Sequence, residues 1–359
     1  MKAVLSCGPF NYIGPCITVK PDLLNDDIRP TLIKMTLPMM LGIVSLMLFN
    51  VADSYFVSQL GTAQLAALGF TFPVSFTVIS LSIGLSVGTS ATIAQLIGAG
   101  DTGKARQLTT DNLLLTSLLM VVIAVSAFMV IDPLFRLLGA GDELMPYIHS
   151  YMSVWFFGSI FYMLIMVSNS SLRATGDTKT PAVLMGCSSL LNMALDPLLI
   201  FGWGPFPGMG IQGAAIASLI AWSLTALVAL VNLYWRKGLL VLRIESLHAA
   251  VQHWLVVMKI GFPAALSNMM TPVSAGIMTA VVATHGPEAV AAFGVGSRLE
   301  SLSLLVNLAL SMTLPPFISQ NFGRGQVKRV SGAYHIAVKF ALLWQALIYL
   351  LLFIFAGGI

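Results

Sequence analysis

Long apolar runs separated by short polar loops dominate this chain. Nine runs have roughly the 20 residues that an α-helix needs to cross the ~30 Å apolar core of a bilayer. They lie near residues 34–58, 66–97, 105–135, 147–171, 181–203, 211–235, 259–283, 289–321 and 330–356. Helices are predicted over barrel strands because the runs are continuous rather than alternating, and because a segment in lipid must satisfy its own backbone. The pattern therefore predicts an all-α membrane protein, a polytopic helical bundle.

The composition indicates the same environment. Of the 359 residues, 57% are hydrophobic and 9% are charged, too few polar groups to cover a water-facing surface. Lys and Arg number 18 against 14 Asp and Glu. The positive charges flank the apolar runs, so they indicate topology rather than nucleic acid binding. We expect a lipid bilayer around the chain, no nucleic acid partner, no metal cluster and no cofactor.

The positive charges also predict orientation. The loop QLGTAQL has no Lys or Arg, whereas the next loop, GAGDTGKAR, has two. The positives on this second side are Lys2, Lys20, Arg29, Lys34, Lys104, Arg106, Arg173, Lys179, Arg236, Lys237, Arg243, Lys259, Arg324, Lys328 and Arg329. The opposite loops carry only Arg136. Because cytoplasmic loops carry the excess of Lys and Arg, we predict a multi-pass inner (plasma) membrane protein with a cytoplasmic N-terminus.

The sequence contains an internal repeat. When residues 34–106 are aligned with 259–331, at an offset of 225, fourteen of 73 positions are identical. The matches include Pro38 with Pro263, Gly61 with Gly286, and Gln95, Gly98 and Gly100 with Gln320, Gly323 and Gly325. An offset of six helices gives both copies the same orientation. This predicts two parallel-repeat lobes, which is a transporter architecture.

The repeat divides the chain into four parts. Residues 1–32 are predicted to be a cytoplasmic arm, 33–236 a first lobe of six helices, 237–258 a cytoplasmic linker, and 259–359 an incomplete second lobe of three helices. A full second copy would run to about residue 460, so we expect about three helices to be absent. On this basis we expect the chain in this form not to transport, and the full-length protein to be monomeric.

Ionisable groups inside apolar runs cost free energy and so indicate function. Asp53 lies 19 residues into the first run and Asp196 lies 15 residues into the fifth, which predicts a similar depth in the outer half of the bilayer. Asn192, one turn before Asp196, shares its face. Two carboxylates and a carboxamide can hold Na⁺ through oxygen ligands or exchange a proton. The alternative is that Asp53 is an interfacial residue and Asp196 a structural hydrogen-bond partner.

Other charged residues are open to more than one interpretation. Arg298 and Glu300 lie about ten residues into the eighth run. They are two residues apart and so point in different directions around a helix. Two interpretations stay open for them: a packing ion pair with other helices, or a substrate or proton site. Asp111, near the end of a run, is expected to be solvated or to cap a helix, and the histidines are given no role.

Several stretches resemble the multidrug and toxic compound extrusion (MATE) family. The first run, TLPMMLGIVSLMLFNVADSYFVSQLG, followed by AALGF, is similar to the opening helix of the family, with Asp53 as its acidic residue. LRATGDTKTP, at 172–181, is similar to the connection between the fourth and fifth helices. LNMALDPLLIFG and GMGIQGAAIAS are similar to the fifth and sixth helices. The resemblance covers nearly the whole chain from about residue 33.

The resemblance implies a secondary antiporter, not an enzyme, that exports drugs or organic cations in exchange for Na⁺ or H⁺. It also implies twelve helices in two lobes around a cavity that opens alternately to each side. In the branch named for DinF, the cation site maps to Asp53, Asn192 and Asp196, with a hydroxyl from the sixth helix that Ser218 matches. Thr271 stands where the NorM-type branch carries a Glu, which argues against a NorM-type site in the second lobe.

Two alternative functions stay open at this point. A lipid or polyprenyl-linked sugar flippase of the wider superfamily shares the two-lobe plan, but it usually has a more cationic cavity, which only Arg298 supports. A transporter fragment without activity is the other. An intramembrane enzyme would need a metal cluster or a nucleophile with a base, and the sequence has no such arrangement.

Overall fold

The computed structural model describes residues 22–202, 207–241, 246–285 and 287–355, and its regular structure in these ranges is helical. The helices are α1 (Ile28–Ser58), α2 (Thr62–Ala99), α3 (Thr102–Met129), α4 (Ile131–Leu137), α5 (Met145–Ala174), α6 (Lys179–Ile200), α7 (Ile211–Val231), α8 (Leu247–Ala283), α9 (Pro287–Ser303), α10 (Leu305–Gly323) and α11 (Val327–Phe355). A short π-helical turn, Asn232–Arg236, continues α7.

Among the described residues, nine helical segments are long and apolar enough to cross a membrane. Each of the nine predicted runs coincides with one of them, so the prediction of an all-α polytopic bundle is confirmed. The third run is shorter than predicted, because α3 ends at Met129 and α4 starts at Ile131. Pro133 lacks the amide hydrogen that would bond to the Met129 carbonyl, which explains the break.

Two predicted boundaries need adjustment, although the division into lobes stays a prediction. Helix α1 already begins at Ile28, so the last residues of the predicted arm are helical; residues 1–21 lie outside the described part. Helix α8 begins at Leu247, within the predicted linker. The Ser246 hydroxyl explains this start, because it accepts a hydrogen bond from the Ala249 amide (3.1 Å) and so caps the helix.

Small residues let α2 pack closely against its neighbours. Its buried face carries Gly84 and Gly88, which contact the backbone of α8 near Gly261. A side chain at Gly84 would overlap Ala265, whose backbone nitrogen lies 2.6 Å from the position of an added Cβ. Helices in lipid associate through close packing of this kind, and α2 is therefore the central helix of the contact between the two predicted lobes.

Equivalent positions of the internal repeat contact each other. Gly98 of α2 lies against the Gln320 carbonyl of α10, and Gly323 of α10 lies against the Gln95 carbonyl of α2. Gln95 pairs with Gln320 in the repeat, and Gly98 pairs with Gly323. A two-fold axis between parallel lobes requires reciprocal contacts of this type.

The helix bundle has two distinct ends. We call the end that contains Ala99, Lys179 and Gly323 the basic end, because the loops there carry most of the positive charges; the other, the opposite end, contains Ser58 and Thr62. The close contacts of α2 with α8 and α10 lie toward the basic end. The two predicted lobes are therefore closed together at the basic end.

Candidate functional site

A cavity of about 460 Å³ lies inside the first lobe, between the opposite-end halves of α1 and α2 and the helices α5, α6 and α7. Its aromatic lining consists of Phe49, Phe72, Phe76, Tyr151, Trp155, Tyr162 and Trp222. Its polar lining consists of Asn50, Asp53, Ser54, Thr71, Ser75, Ser188, Ser189, Asn192 and Ser218. The size and the mixture of aromatic walls with a few polar groups are those of a small-molecule site.

Three buried polar side chains form a hydrogen-bonded chain beside this cavity. The Asn192 amide, oriented by its partners, donates through its nitrogen to both Asp196 carboxylate oxygens (2.9 and 3.2 Å). Its oxygen accepts from the Ser218 hydroxyl (2.9 Å). Asp196 is fully buried, and Asn192 and Ser218 are nearly so. These hydrogen bonds connect α6 to α7 and hold the Asp196 carboxylate inside the first lobe.

Asp53 lies on the cavity wall, on α1, which packs against α6. Its Oδ1 is buried and has no hydrogen-bond partner among the described residues. Asp53 and Asp196 are close enough to interact electrostatically with each other and with the buried phenol of Tyr151. Two neighbouring carboxylates inside a helical bundle repel each other when both are ionised, so the pair favours a bound proton or cation.

The local sequence explains how Asp196 is presented. Asp196 and Asn192 are four residues apart and so lie on the same face of α6. Pro197 follows at once, and because proline has no amide hydrogen, it leaves the Met193 carbonyl without its intrahelical partner. A backbone oxygen without its intrahelical partner, next to a buried carboxylate, is an environment suited to a cation.

The oxygen donors present fit a monovalent cation better than a transition metal. No group of three or more His, Cys, Asp or Glu side chains is placed to hold a metal in the part of the chain that the structure describes. The available ligands are instead carboxylate, carboxamide and hydroxyl oxygens, the hard donors that Na⁺ shares with other hard cations. The free Oδ1 of Asp53 is where such an ion or a proton would find an unused acceptor.

Aromatic rings form another part of the cavity wall. Trp222 packs edge-on against Trp155, with ring centroids 6.2 Å apart, and lies 5.2 Å from the Tyr162 ring. Gly158 makes room for it, because an added Cβ there would lie 3.2 Å from the indole. This wall offers flat π surfaces for an aromatic or cationic guest.

The structure brings together all four residues predicted for the cation site: Asp53, Asn192, Asp196 and Ser218. Their role stays a prediction. Glu300 lies exposed on α9 and is not among the described lining of the cavity. The side chain of Arg298 lies outside the described residues. A substrate or proton role for these two residues therefore also stays a prediction.

One buried polar cluster was missed by sequence reasoning. Asp111 is not solvated but nearly fully buried, and its Oδ2 lies 2.6 Å from Nδ1 of His253 on α8. Gln107 donates to the other carboxylate oxygen (3.0 Å), and the Trp254 indole donates to the Asp111 carbonyl (2.7 Å). The spacing of Gln107 and Asp111 was a local signal. The contact with His253, 142 residues away in sequence, had none.

Comparison with known proteins gives a consistent result. The family model described as MatE matches residues 38–198 and 263–359. The two segments start 225 residues apart (263 minus 38), which is the offset of the internal repeat. The predicted resemblance is therefore confirmed, and both predicted lobes contribute to it.

Individual proteins show the same likeness. The chain is 42% identical over 341 residues to a protein of Shewanella oneidensis named FAD transporter, covering 93% of this chain and 74% of the relative. It is 28% identical to a probable multidrug resistance protein NorM of Thermotoga maritima, covering 92% and 71%. The crystal structure of the Vibrio cholerae transporter VcmN in the bent form superposes with a TM-score of 0.86, at 34% identity, and covers 92% of this chain and 74% of that one.

Proposed function

The chain belongs to the MatE family of membrane transporters, and on that premise we propose that it exports small organic molecules in exchange for a cation, Na⁺ or H⁺. The cation site would be Asp53, Asn192, Asp196 and Ser218, and the substrate would occupy the aromatic cavity of the first lobe. The protein would lie in the inner membrane with its N-terminus in the cytoplasm and act as a monomer when full length. Multidrug resistance proteins among the relatives support this class of activity.

One observation carries the proposal. A buried carboxylate oxygen of Asp53 has no partner, and it stands beside the hydrogen-bonded chain that ends on the buried Asp196. An unpartnered carboxylate is costly in a membrane protein unless it binds something. Asp53 also lines a cavity of substrate size. A cation bound at this carboxylate and a substrate in the cavity would therefore compete for one space.

The arrangement of the lobes supports alternating access. Contacts between α2 and the helices α8 and α10 close the basic end, whereas the cavity lies in the half of the lobe toward the opposite end. If the basic end is cytoplasmic, this is a state closed to the cytoplasm. A cation that enters from outside would neutralise the carboxylates and release a positively charged substrate, and a rocking motion of the lobes would complete the cycle.

The cavity favours a flat, positively charged substrate. Its described lining contains one carboxylate and no Lys or Arg, and its walls are mostly aromatic. A cation over an aromatic face gains about 0.5–2 kcal/mol, the larger value when it is desolvated. The carboxylate and the aromatic faces both attract positive charge, which supports organic cations as substrates.

Transport by everted membrane vesicles that contain the full-length protein is the direct test. Because the membrane is inverted, export appears as uptake of a fluorescent organic cation into the vesicle lumen, and this uptake should follow an imposed Na⁺ or H⁺ gradient. The substitution Asp196→Asn should reduce it at least tenfold, because it keeps the side-chain volume but removes the exchangeable charge. Asp132→Asn, at an exposed position on α4, is the matched control and should transport normally. Normal efflux by Asp196→Asn would show that the coupling site is wrongly placed.

A second candidate substrate is a flavin dinucleotide, and one observation favours it. The relative that is named FAD transporter is 42% identical over 93% of this chain. The aromatic wall of Trp155, Tyr162 and Trp222 would suit a flat ring system of that kind. The diphosphate is the difficulty, because the described cavity lining supplies no positive charge to pair with it.

Competition separates the two substrates. If the chain exports flavin dinucleotides, added FAD should displace a bound organic cation, and riboflavin, which has the ring without the diphosphate, should displace it less well. If organic cations are the substrates, riboflavin should compete at least as well as FAD, because the unpaired diphosphate costs free energy.

A further inference from the structure

A second cavity, of about 500 Å³, lies at the basic end between α1 and the start of α6. Ile33, Lys34, Leu37 and Pro38 line it from α1, and residues 176–179 line it from the loop before α6 and its first residue. We call this cavity the basic-end groove. It is separate from the central cavity, with which it shares no lining residue.

The groove begins where the two helices stop touching. At Gly42, α1 packs directly on α6: an added Cβ would lie 3.2 Å from the Ala182 Cα. Nearer to the helix ends, Leu37 and Lys179 lie on facing walls of an open space. The groove therefore opens at the membrane surface and narrows toward the bilayer interior.

The mouth of the groove carries unpaired positive charge. Lys34 and Lys179 are exposed, and within the described part of the chain neither has an acidic partner. The one carboxylate in the lining, Asp177, is already occupied: Lys237 lies 2.8 Å from its Oδ2, and the Thr180 amide donates to its Oδ1 (3.0 Å). An anion at the groove would thus meet two free ammonium groups and no free carboxylate.

Apolar surface continues from this charged mouth into the bilayer. Ile33, Leu37 and Leu41 follow one another at four-residue spacing on α1 and are 63%, 59% and 66% exposed. On α6, Val183 is 63% exposed and lies one turn after Lys179. Positive charge at the surface with apolar stripes below it matches the shape of one kind of molecule, a lipid with an anionic head group.

We propose that the basic-end groove is a binding site for an anionic phospholipid. The phosphate lies between the Lys34 and Lys179 ammonium groups. An acyl chain runs along Leu37, Leu41 and Val183. Because the groove is closed off by the Gly42–Ala182 contact, a bound lipid wedges between α1 and α6 rather than lying loosely on the surface.

Native mass spectrometry of the purified, delipidated chain tests this site. The probes are dioleoyl-phosphatidylglycerol and dioleoyl-phosphatidylcholine, which differ in net charge but not in their acyl chains. The double variant Lys34→Gln/Lys179→Gln should bind the phosphatidylglycerol at least about tenfold more weakly than the wild type, because it loses two positive charges beside the phosphate. Lys328→Gln/Lys339→Gln, which makes the same charge change on exposed positions of α11, should bind it like the wild type.

Several results would overturn the proposal. Equal phosphatidylglycerol binding by the two double variants would mean that any positive surface suffices, and equal binding of both lipids by the wild type would remove the role of charge. Displacement of the lipid by millimolar glycerol 3-phosphate would assign the groove to a soluble phosphate instead. Independently of the variants, phosphatidylglycerol with a photoreactive acyl chain should label the wild-type segment that contains Leu37 and Leu41; labelling spread evenly over all helices would contradict the site.

Discussion

Several buried hydroxyl groups on α2 donate to carbonyls of their own helix, as Ser82 does to Val78 (2.8 Å) and Thr92 to Gly88 (2.8 Å). Such groups need no external partner. The Asp53 carboxylate differs because one buried oxygen has none. At the scale of single residues, satisfied polar groups therefore belong to packing. Asp53 Oδ1 and Ser189 Oγ are buried at the cavity without a partner among the described residues, and they are the candidates for binding.

Asp177 provides a test of residue-scale electrostatics outside the membrane spans. Burial would raise the pKa of its carboxyl, but the hydrogen bonds from Lys237 and Thr180 and the charge of Lys237 outweigh burial, so the pKa lies below its ordinary value of 3.8. A lowered pKa stabilises the fold at pH values above 3.8, and the contribution is lost as the pH falls through the lower folded value.

We expect Asp177→Asn to lower the stability by about 1–2 kcal/mol at pH 7, allowing for solvent screening of this partly exposed pair. The loss should be unchanged between pH 7 and pH 5. Only below pH 3.8 should the variant and the wild type converge. Thermal unfolding in detergent at several pH values measures this. Asp142→Asn, which breaks the exposed pair with Arg136, is the control and should have little effect at any pH; convergence already at pH 6 would contradict the account.

At the scale of helices, α2 is the element on which both predicted lobes meet. Three of its glycines lie at helix contacts: Gly84 and Gly88 contact α8, and Gly98 contacts α10. The nine spans and the parallel repeat were predictable from sequence, because apolar length and spacing determine them. The contacts between the lobes were not predictable. The alignment shows that Gln95 and Gln320 are equivalent positions, but it does not show that the two helices touch there.

The Gly98 contact yields a prediction at this scale. Gly98→Ala places a methyl group against the Gln320 carbonyl, so α2 and α10 must separate. Overpacking of this kind costs about 1–3 kcal/mol and should lower the unfolding temperature by several degrees. Gly69→Ala is the matched control in the same helix, because an added Cβ there meets nothing within 4 Å. Equal melting temperatures for the two variants would show that α2 and α10 are not in close contact.

Part of the candidate site was predictable from the sequence. Asp53, Asn192 and Asp196 are conspicuous because charged and amide side chains are rare inside apolar runs. The Asp111–His253 contact was not predictable, because Asp111 lies near a helix end, where a solvated role is common, and its partner lies on α8, 142 residues away in sequence. Long-range pairing of ordinary residues leaves no local pattern.

At the scale of the whole molecule, orientation decides which direction the cavity faces. The basic end is predicted to be cytoplasmic, so a thiol reagent that does not cross membranes should label single cysteines placed at Thr62 or Pro207 in intact cells. Cysteines at Gly103 or Arg324 should react only after permeabilisation. Native cysteines, of which Cys187 is free and exposed, are first replaced by serine. The reverse pattern would mean that the cavity opens to the cytoplasm.

Competition between a cation and a substrate for the first-lobe cavity tests the central claim most directly. Binding of the fluorescent cation rhodamine 6G to the purified chain is measured by anisotropy while Na⁺ is raised or the pH is lowered. We expect one of these changes to weaken binding about 5- to 150-fold in the wild type and in Asp132→Asn, and to have no effect in Asp53→Asn/Asp196→Asn. Undiminished competition in the double variant would contradict the claim that these carboxylates couple the cation to the substrate.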